Sequence, residues 1–403
     1  MIGQLDPLYN SGDITWSVFG VVAIKVVAAF VILLVSVMLY IWGMRKVIAD
    51  MQNRIGPNRA GPYGVLQTLA DGIKLFFKEQ SIPSSADRSV FRLAPYLSIL
   101  PAFLMFCIIP IGGQVSILGH QTYLQVMELP VGALWILAMS GVGVYGIMLA
   151  GWSSGSKYPL LGSVRATAQL LSYEAAFGLA ILGVLIQAGT LSTRAIVNEQ
   201  YDTSWHAMFT DAYWLPALLP FVIFLIAALA ETNHPPFDLV EAEQELVGGF
   251  NTEYTGIRFA IFFLAEFMNV ITMSAVAVTL FLGGPSGPLL GFLDADNWIN
   301  TWIMPMFWFT VKVLALLFAT VWVRASMPRM RYDKLMALGW KWLIETALIW
   351  AIVSAAFIYV NEQDYSTTKT IGIDLGIVAG AGLAALVLYL AVPKPGEKIE
   401  EFR

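Results

Sequence analysis

Long apolar stretches without any charge constrain the fold of this chain more than any other feature. They run from Val26 to Met44, from Leu93 to Gly119 and from Leu129 to Ser156. A helix needs about 20 mostly apolar residues to cross a bilayer. Six further candidates, four of them with isolated charges, follow near residues 160–187, 212–230, 257–283, 302–323, 342–361 and 375–393. The sequence therefore predicts an all-α polytopic membrane protein with about nine spans.

The distribution of charge supports this prediction and indicates an orientation. Only 13% of the 403 residues are charged, against about 25% in an average soluble domain. With nine spans, 19 of the 23 Lys and Arg residues fall on the side of the 45–92 connection, two (Arg194, Lys369) fall opposite and two (Lys25, Lys312) lie within spans. Because cytoplasmic loops are rich in Lys and Arg, we expect the 45–92 side to be cytoplasmic.

Composition also excludes several classes of function. The net charge of −5 and the scattered basic residues argue against nucleic-acid binding. Cys107 is the only cysteine, so the chain has neither a disulfide framework nor the thiolates for an iron–sulfur cluster. The first sixteen residues contain no Lys or Arg, which argues against a cleavable signal peptide. We expect no metal site, and any redox cofactor should be bound by another chain.

The connection after the first span combines a rigid loop with a surface helix. Glycine and proline recur through residues 52–64, which favours compact turns. Polar and apolar residues then separate onto two faces, which predicts an amphipathic helix over residues 64–79 along the membrane surface. This helix either anchors the chain or helps to form a ligand entrance. The polar face carries Gln67, Asp71, Lys74 and Lys78, and the apolar face Leu66, Leu69, Ile73, Phe76 and Phe77.

Charges within spans are the next feature to explain. Arg165 and Glu174 lie nine residues apart in the fourth span, on opposite faces of a helix, so they cannot pair with each other. Glu266 lies within the sixth span. An unpaired charge in a span costs about 2.5–3.5 kcal/mol on insertion scales. Each of these residues therefore needs a partner, either in a structural ion pair or along a proton or ion path.

The densest cluster of acids is the loop over residues 231–256. Asp238 is a candidate helix N-cap with Glu241 as its capping-box partner, after Pro235 and Pro236 have ended the preceding helix. That cap explains only two acids, and Glu245 then crowds the same helix face. Such crowding couples the proton exchange of the carboxylates and indicates a functional site. The basic residues between 324 and 341 either anchor spans to anionic lipid or provide counter-charges for this loop.

Five blocks of residues, taken together, are similar to those of one known family. The blocks are Arg54–Gly64 with Leu66-Gln67, Ala70-Asp71 and Lys74–Glu79; Gly151-Trp152, Ser156–Tyr158 and Arg165; Ser172–Glu174; Glu231–Glu253; and Arg329–Trp340. In this order they resemble the quinone-site membrane subunit of proton-pumping NADH:quinone oxidoreductase, respiratory complex I, called the H subunit in bacteria and subunit 1 in mitochondria. The resemblance covers roughly residues 20–345.

The resemblance implies a subunit that does not transfer electrons itself. In that family, partner subunits hold FMN and the iron–sulfur clusters, while this subunit forms the membrane end of the tunnel for the substrate quinone. The quinone tail is expected to enter between the first span, the sixth span and the amphipathic helix. The implied partners are the cytoplasmic quinone-site and iron–sulfur subunits, small membrane subunits, antiporter-like subunits and membrane lipids. The implied location is the bacterial cytoplasmic membrane.

The resemblance also implies an architecture and a set of site residues. Eight spans form the core within residues 1–361, and residues 362–403 add a ninth span and a short tail. The acidic loop beside the quinone would contain Asp238, Glu241, Glu243 and Glu245, while Glu174 and Glu231, with Glu253 and Glu266, would begin a proton path. Arg54, Arg165 and Arg331 would supply counter-charge and hold loops, and Asp71, Lys74 and Phe237 would belong to the tunnel and its loops.

The chain departs from the family pattern at four positions. Met44 stands where an acid is usual, His234 where Arg is usual, and Val240 and Glu345 where Pro is common. His234 thereby replaces a permanent cation with a group that can lose its charge near neutral pH. Two alternatives stay open: the related membrane subunit of energy-converting hydrogenases, and a free-standing proton or cation transporter whose carriers would be Glu174, Glu266 and Lys312.

Overall fold

The computed structural model describes residues 6–10, 15–202, 214–238, 247–288 and 297–361, together with 376, 380 and 382. Helices account for most of these residues. In chain order they are α1 (Pro7–Asn10), α2 (Trp16–Met51), α3 (Gln67–Phe77), α4 (Arg88–Phe106), α5 (Gly132–Ser153), α6 (Lys157–Ala188), α7 (Thr193–Asp202), α8 (Trp214–Glu231), α9 (Ile257–Phe281), α10 (Met304–Ser326), α11 (Tyr332–Leu338) and α12 (Ile344–Asn361).

Short elements complete the described architecture. A π-helical turn, Ile299–Ile303, leads into α10, and another, Gly339–Leu343, joins α11 to α12. Single 3-10 turns cover Pro62–Gly64 and Gly249–Asn251. Two antiparallel strands, β1 (Gln114–Ile117) and β2 (His120–Tyr123), form a hairpin in which Val115 faces Thr122.

The prediction of an all-α polytopic membrane protein is confirmed. Within the described ranges, seven helical segments are long and apolar enough to cross a membrane, and α8 is a further apolar helix of 18 residues. Each of the eight predicted core spans corresponds to a helix. The ninth predicted span, 375–393, lies outside the described residues apart from three isolated positions.

Two predicted boundaries were wrong. The uncharged stretch 93–119 is not one helix, because α4 ends at Phe106 and the chain turns into the hairpin. Pro110, Gly112 and Gly113 separate the two elements, and residues of these types interrupt helices. The amphipathic helix covers Gln67–Phe77, shorter than the predicted 64–79, because Pro62–Gly64 forms a separate turn in which Tyr63 and Gly64 both have positive φ.

Successive spans alternate in direction, so the bundle has two ends. We call the end that holds the 52–87, 231–256 and 327–331 connections the basic face, and the opposite end the outer face. Backbone contacts join the connections of the basic face: the Asp87 N–H donates to Ser153 O at 3.0 Å, and the Met330 N–H donates to Pro236 O at 3.0 Å. These bonds join the 52–87 connection to the end of α5, and the 327–331 connection to the start of the 231–256 connection.

Glycines set the closest approaches within the bundle. Gly146 on α5 packs against α4, where an added Cβ would lie 2.8 Å from Ser98 N. Gly162 on α6 packs against the 3-10 turn, where an added Cβ would lie 2.8 Å from Gly249 Cα. Contacts this short exclude any side chain unless the backbone moves. The second contact fixes the end of the acidic loop against α6.

Charges at the outer face form direct pairs. Lys25 Nζ lies 3.2 Å from Asp6 Oδ2 and donates to Thr122 Oγ1 at 2.8 Å, so the basic residue within the first span is paired. Arg194 Nη1 lies 2.8 Å from Glu128 Oε2. Burial raises the pKa of Glu128, and the charge of Arg194 opposes that increase. These pairs hold the hairpin and α7 against the ends of the spans.

Candidate functional site

The acidic loop begins where α8 ends at Glu231, and its first residues are tightly ordered. Two prolines follow at 235 and 236, which lack the N–H groups that a helix needs. The Phe237 N–H donates to His234 O at 2.9 Å and closes a turn around them. Gln169 on α6 then fixes the segment from both sides, because its Nε2 donates to Ala230 O and to Phe237 O, each at 3.0 Å.

Glu231 and Glu266 line one internal cavity among α4, α5, α8 and α9. They come from different helices and from positions 35 residues apart in the sequence (266 − 231). The cavity is mostly apolar, with Met, Val, Ile and Phe side chains in its wall. Its polar lining consists of Ser98, Ser140, Glu231, Thr232, Asn233, Glu266 and Asn269.

Several polar atoms of this cavity are buried without a partner. Ser98 Oγ, Glu231 Oε2 and Asn269 Oδ1 make no hydrogen bond with any residue that the structure describes. Buried polar groups are nearly always satisfied, and ordered water commonly bridges them. The cavity wall is therefore suited to holding water between the two carboxylates.

Glu174 on α6 extends this group of acids. Its charge acts on Glu231, so the two carboxylates lie within electrostatic range of each other. Its Oε1 also lies beside α5, 2.8 Å from where a Cβ on Gly141 would be. Glu174 thus lies against α5. Of the three acids that the sequence predicted for one path, Glu231 and Glu266 line the cavity and Glu174 lies within electrostatic range of Glu231.

Asp238 is paired with a basic residue of a distant connection. Arg329 Nη2 donates to Asp238 Oδ2 at 2.8 Å, so one basic residue between 324 and 341 provides counter-charge to the described part of the acidic loop. The aspartate is buried while its Oδ1 has no described partner. Burial raises the pKa of Asp238, and the positive charge of Arg329 opposes that increase.

His234 lies between the cavity and Asp238. Its Nδ1 is 3.3 Å from Glu266 Oε1 and 2.9 Å from Thr232 O, so the partner that the sequence required for Glu266 is a histidine. The ring is 1% exposed and packs edge-on against Phe267 with their centroids 5.5 Å apart. Nε2 has no hydrogen-bond partner among the described residues.

The remaining predicted acids either do not line the cavity or lie outside the described residues. Glu253 is half-buried between the Gly249–Asn251 turn and α9, and it is not among the residues that line the cavity. Its neighbour Tyr254 stacks on Phe91 with centroids 4.0 Å apart, and burial raises the pKa of that tyrosine to about 12. Glu241, Glu243, Glu245 and Val240 lie outside the described residues, as does the predicted capping box.

The amphipathic helix α3 packs against α2 and α9, the first and sixth spans. Asp71 attaches it to the bundle: Arg45 Nη1 donates to Asp71 Oδ2 at 2.9 Å, and Gln67 Nε2 donates to Asp71 Oδ1 at 3.2 Å. Lys74 Nζ lies 3.8 Å from the same carboxylate. The apolar residues of α3, from Leu66 to Phe77, are largely exposed.

The other predicted residues divide between buried and surface positions. Phe237 is buried, with its ring 5.5 Å from that of Tyr173, and the Arg165 guanidinium lies over the Tyr332 ring at 5.3 Å. Arg331 pairs with Asp333 at 2.9 Å on the exposed surface, and it is Arg329 that pairs with Asp238. Arg54 donates to Gln52 Oε1 at 2.7 Å, also on the surface.

Some residues of the site were missed by the sequence analysis. Asn269 follows Glu266 by three positions and shares its helix face, so helical spacing was an available signal. Ser98 and Asn233 gave no signal of their own, because their place in the cavity depends on how separate helices pack. In the ranges that the structure describes, no group of three His, Cys, Asp or Glu side chains forms a candidate metal site.

Comparisons with known proteins agree over most of the chain. A family model described as NADH dehydrogenase matches residues 24–355. A protein of Frankia alni, named as the H subunit of NADH-quinone oxidoreductase, is 49% identical over 388 residues, which cover 95% of this chain and 82% of that protein. A protein of Frankia casuarinae with the same name is 48% identical over 380 residues, covering 94% of this chain and 80% of that protein.

Proposed function

The chain belongs to the NADH dehydrogenase family, as a membrane subunit of an NADH-quinone oxidoreductase, and we propose that it forms the quinone tunnel and the start of the coupled proton path. The observation that carries the proposal is the shared cavity of Glu231 and Glu266, with Glu174 in electrostatic range. Ionisable groups inside a membrane protein are costly and are typical of proton relays. Two acids that line one cavity, with a third in electrostatic range, fit that role.

The quinone part of the proposal rests on helix α3. Its exposed apolar face lies beside α2 and α9, and the Arg45–Asp71 ion pair joins it to the bundle. An apolar quinone tail needs an apolar passage from the lipid, and α3 offers such a surface at the basic face. Phe237 and the Asp238–Arg329 pair lie on that same face, where a reduced headgroup would meet the coupling acids.

The proposal includes partners and a location. The basic face carries the ordered connections and most of the basic residues, and it supports docking of the cytoplasmic quinone-site and iron–sulfur subunits, which would hold FMN and the clusters. The small membrane subunits and antiporter-like subunits would contact the sides of the bundle. The location would be the bacterial cytoplasmic membrane, with quinone as the substrate of the assembled enzyme.

Glu231→Gln tests the proton path in the assembled complex. Loss of the carboxyl removes a proton site of the cavity, so we expect proton transport per NADH oxidised to fall severalfold in membrane vesicles, and quinone reduction to slow with it. NADH oxidation by an artificial acceptor that does not use the quinone site reports the amount of complex. The control is Glu79→Gln, the same change at an exposed position.

The two outcomes separate clearly. Retained complex with reduced proton transport in Glu231→Gln, and normal transport in Glu79→Gln, supports the path. Wild-type quinone turnover together with wild-type proton yield in Glu231→Gln refutes it.

A further inference from the structure

We infer that the imidazole of His234 carries protons between Asp238 on the acidic loop and Glu266 at the cavity. The inference rests on the proposed function and adds a residue that connects the loop to the path. Asp238 does not line the cavity, so a proton that reaches this loop needs a carrier to enter it. His234 is the ionisable side chain that contacts Glu266 in the described structure.

The hydrogen bonds define the protonation of the ring. Thr232 O is a carbonyl oxygen and can only accept, so Nδ1 of His234 carries a hydrogen, shared with Glu266 Oε1 at 3.3 Å. In the neutral ring Nε2 then holds the lone pair. A relay needs a proton to give and a site to receive one. Nδ1 has the proton, and Nε2 has the receiving site.

The nitrogen that would receive the proton and an oxygen of Asp238 both lack a hydrogen-bond partner within the described ranges. Nε2 of His234 and Oδ1 of Asp238 are both buried, and neither has a hydrogen-bond partner among the described residues. The charges of Glu266 and His234 both act on Asp238, so both lie within electrostatic range of that carboxylate. Ordered water commonly joins buried polar atoms of this kind. The other charged groups that act on Asp238 are Arg329 and Arg324.

The transfer balances without a redox step. The O–H bond of protonated Asp238 breaks and its proton forms an N–H bond at Nε2, and the imidazolium then releases the Nδ1 proton to the Glu266 carboxylate, where an O–H bond forms. The ring returns to its first tautomer when Nε2 gives its proton to water and Nδ1 takes a proton from water. Histidine suits this task because one ring nitrogen can accept a proton while the other gives one up.

The test uses variants of the assembled complex and added imidazole. His234→Ala removes the relay, and we expect quinone turnover to fall by about tenfold or more, since a positioned proton-transfer group contributes about 10²–10⁴-fold. Free imidazole should restore part of this turnover, which a purely structural role would not allow. Turnover is measured with a protonophore present, so that imidazole acting as a weak base does not alter the result.

Two further variants keep the test decisive. His234→Gln fills the site and can donate to Thr232 O but carries no proton onward, so it should be as slow as His234→Ala even where the alanine variant assembles poorly. His120→Ala removes a half-buried histidine of the hairpin at the outer face and should neither slow turnover nor respond to imidazole. Wild-type turnover in His234→Gln overturns the relay. If Glu231→Gln is impaired in the same assays, the proposed path survives that result.

Discussion

Gln169→Met should loosen the start of the acidic loop and reduce coupling. The amide of Gln169 is 1% exposed and donates to Ala230 O and Phe237 O, both at 3.0 Å. Methionine has nearly the same length and volume but cannot donate. The substitution therefore removes the hydrogen bonds that join α6 to both ends of the turn while leaving the space filled.

The hydrogen bonds around Gln169 determine how much stability the variant loses. Ala230 O also accepts from the Asn233 N–H at 3.2 Å, so it keeps one partner and the variant loses about 1 kcal/mol there. Phe237 O accepts no other backbone hydrogen bond within the described ranges, so leaving it unsatisfied costs about 1–3 kcal/mol. The total is about 2–4 kcal/mol, concentrated on the segment that holds His234 and Asp238.

A second buried glutamine provides a matched control. Gln125 at the outer face is 4% exposed and donates to Ile108 O at 2.7 Å and Thr193 Oγ1 at 3.2 Å. Both Met variants should shorten the half-life of quinone reductase activity on heating, but only Gln169→Met should lower proton transport per NADH oxidised in vesicles. Equal proton yields in the two variants would show that Gln169 supports stability alone and has no role in positioning the loop.

Two further substitutions test the packing and the charge of the same loop. Gly162→Ala places a Cβ 2.8 Å from Gly249 Cα, so it should lower stability by about 1–3 kcal/mol and reduce quinone turnover. The control is Gly178→Ala on the same helix, whose Cβ would meet only Leu137 side-chain atoms at 3.8 Å or more and should change neither stability nor turnover. Burial raises the pKa of Asp238, so its contribution to stability is complete below the ordinary pKa of 3.8 and is lost as the pH rises through the raised value. On heating, Asp238→Asn should therefore keep its activity longer than the wild type, and this advantage should grow as the pH rises. Asp333→Asn, a change to an exposed carboxylate, should show no such trend.

The spans could be predicted from sequence because a bilayer sets the length of its helices. Apolar runs and the asymmetry of Lys and Arg placed all eight core helices, and the polar repeat of residues 67–78 located α3. The error over 93–119 has the same origin, since hydropathy registers an apolar segment whether it is helical or not. Only the glycines and the proline near residue 110 distinguished the hairpin from the span.

The composition of the site was harder to predict, because it depends on which helices meet. The sequence indicated that Glu174 and Glu266 each needed a partner, but not that Glu231 and Glu266 line one cavity. Ser98 and Asn233 entered the site through packing between helices, which no spacing along one helix reveals. The counter-charge of Asp238 was predicted as a class of residues, while the choice of Arg329 over Arg331 depended on the course of the 327–331 backbone.

Glu231 differs from the buried charges at the outer face in having no ion-pair partner among the described residues, and this difference supports a functional role for the cavity. At the outer face, Lys25 pairs with Asp6 and Arg194 with Glu128, in contacts of 3.2 and 2.8 Å. Buried charges are normally paired in this way because an isolated charge is costly. Toward the basic face, Asp238 is likewise paired, with Arg329 at 2.8 Å, whereas the buried Glu231 has no ion-pair partner among the described residues. A scaffold would gain stability by pairing it, whereas a proton path needs groups that can bind and release a proton.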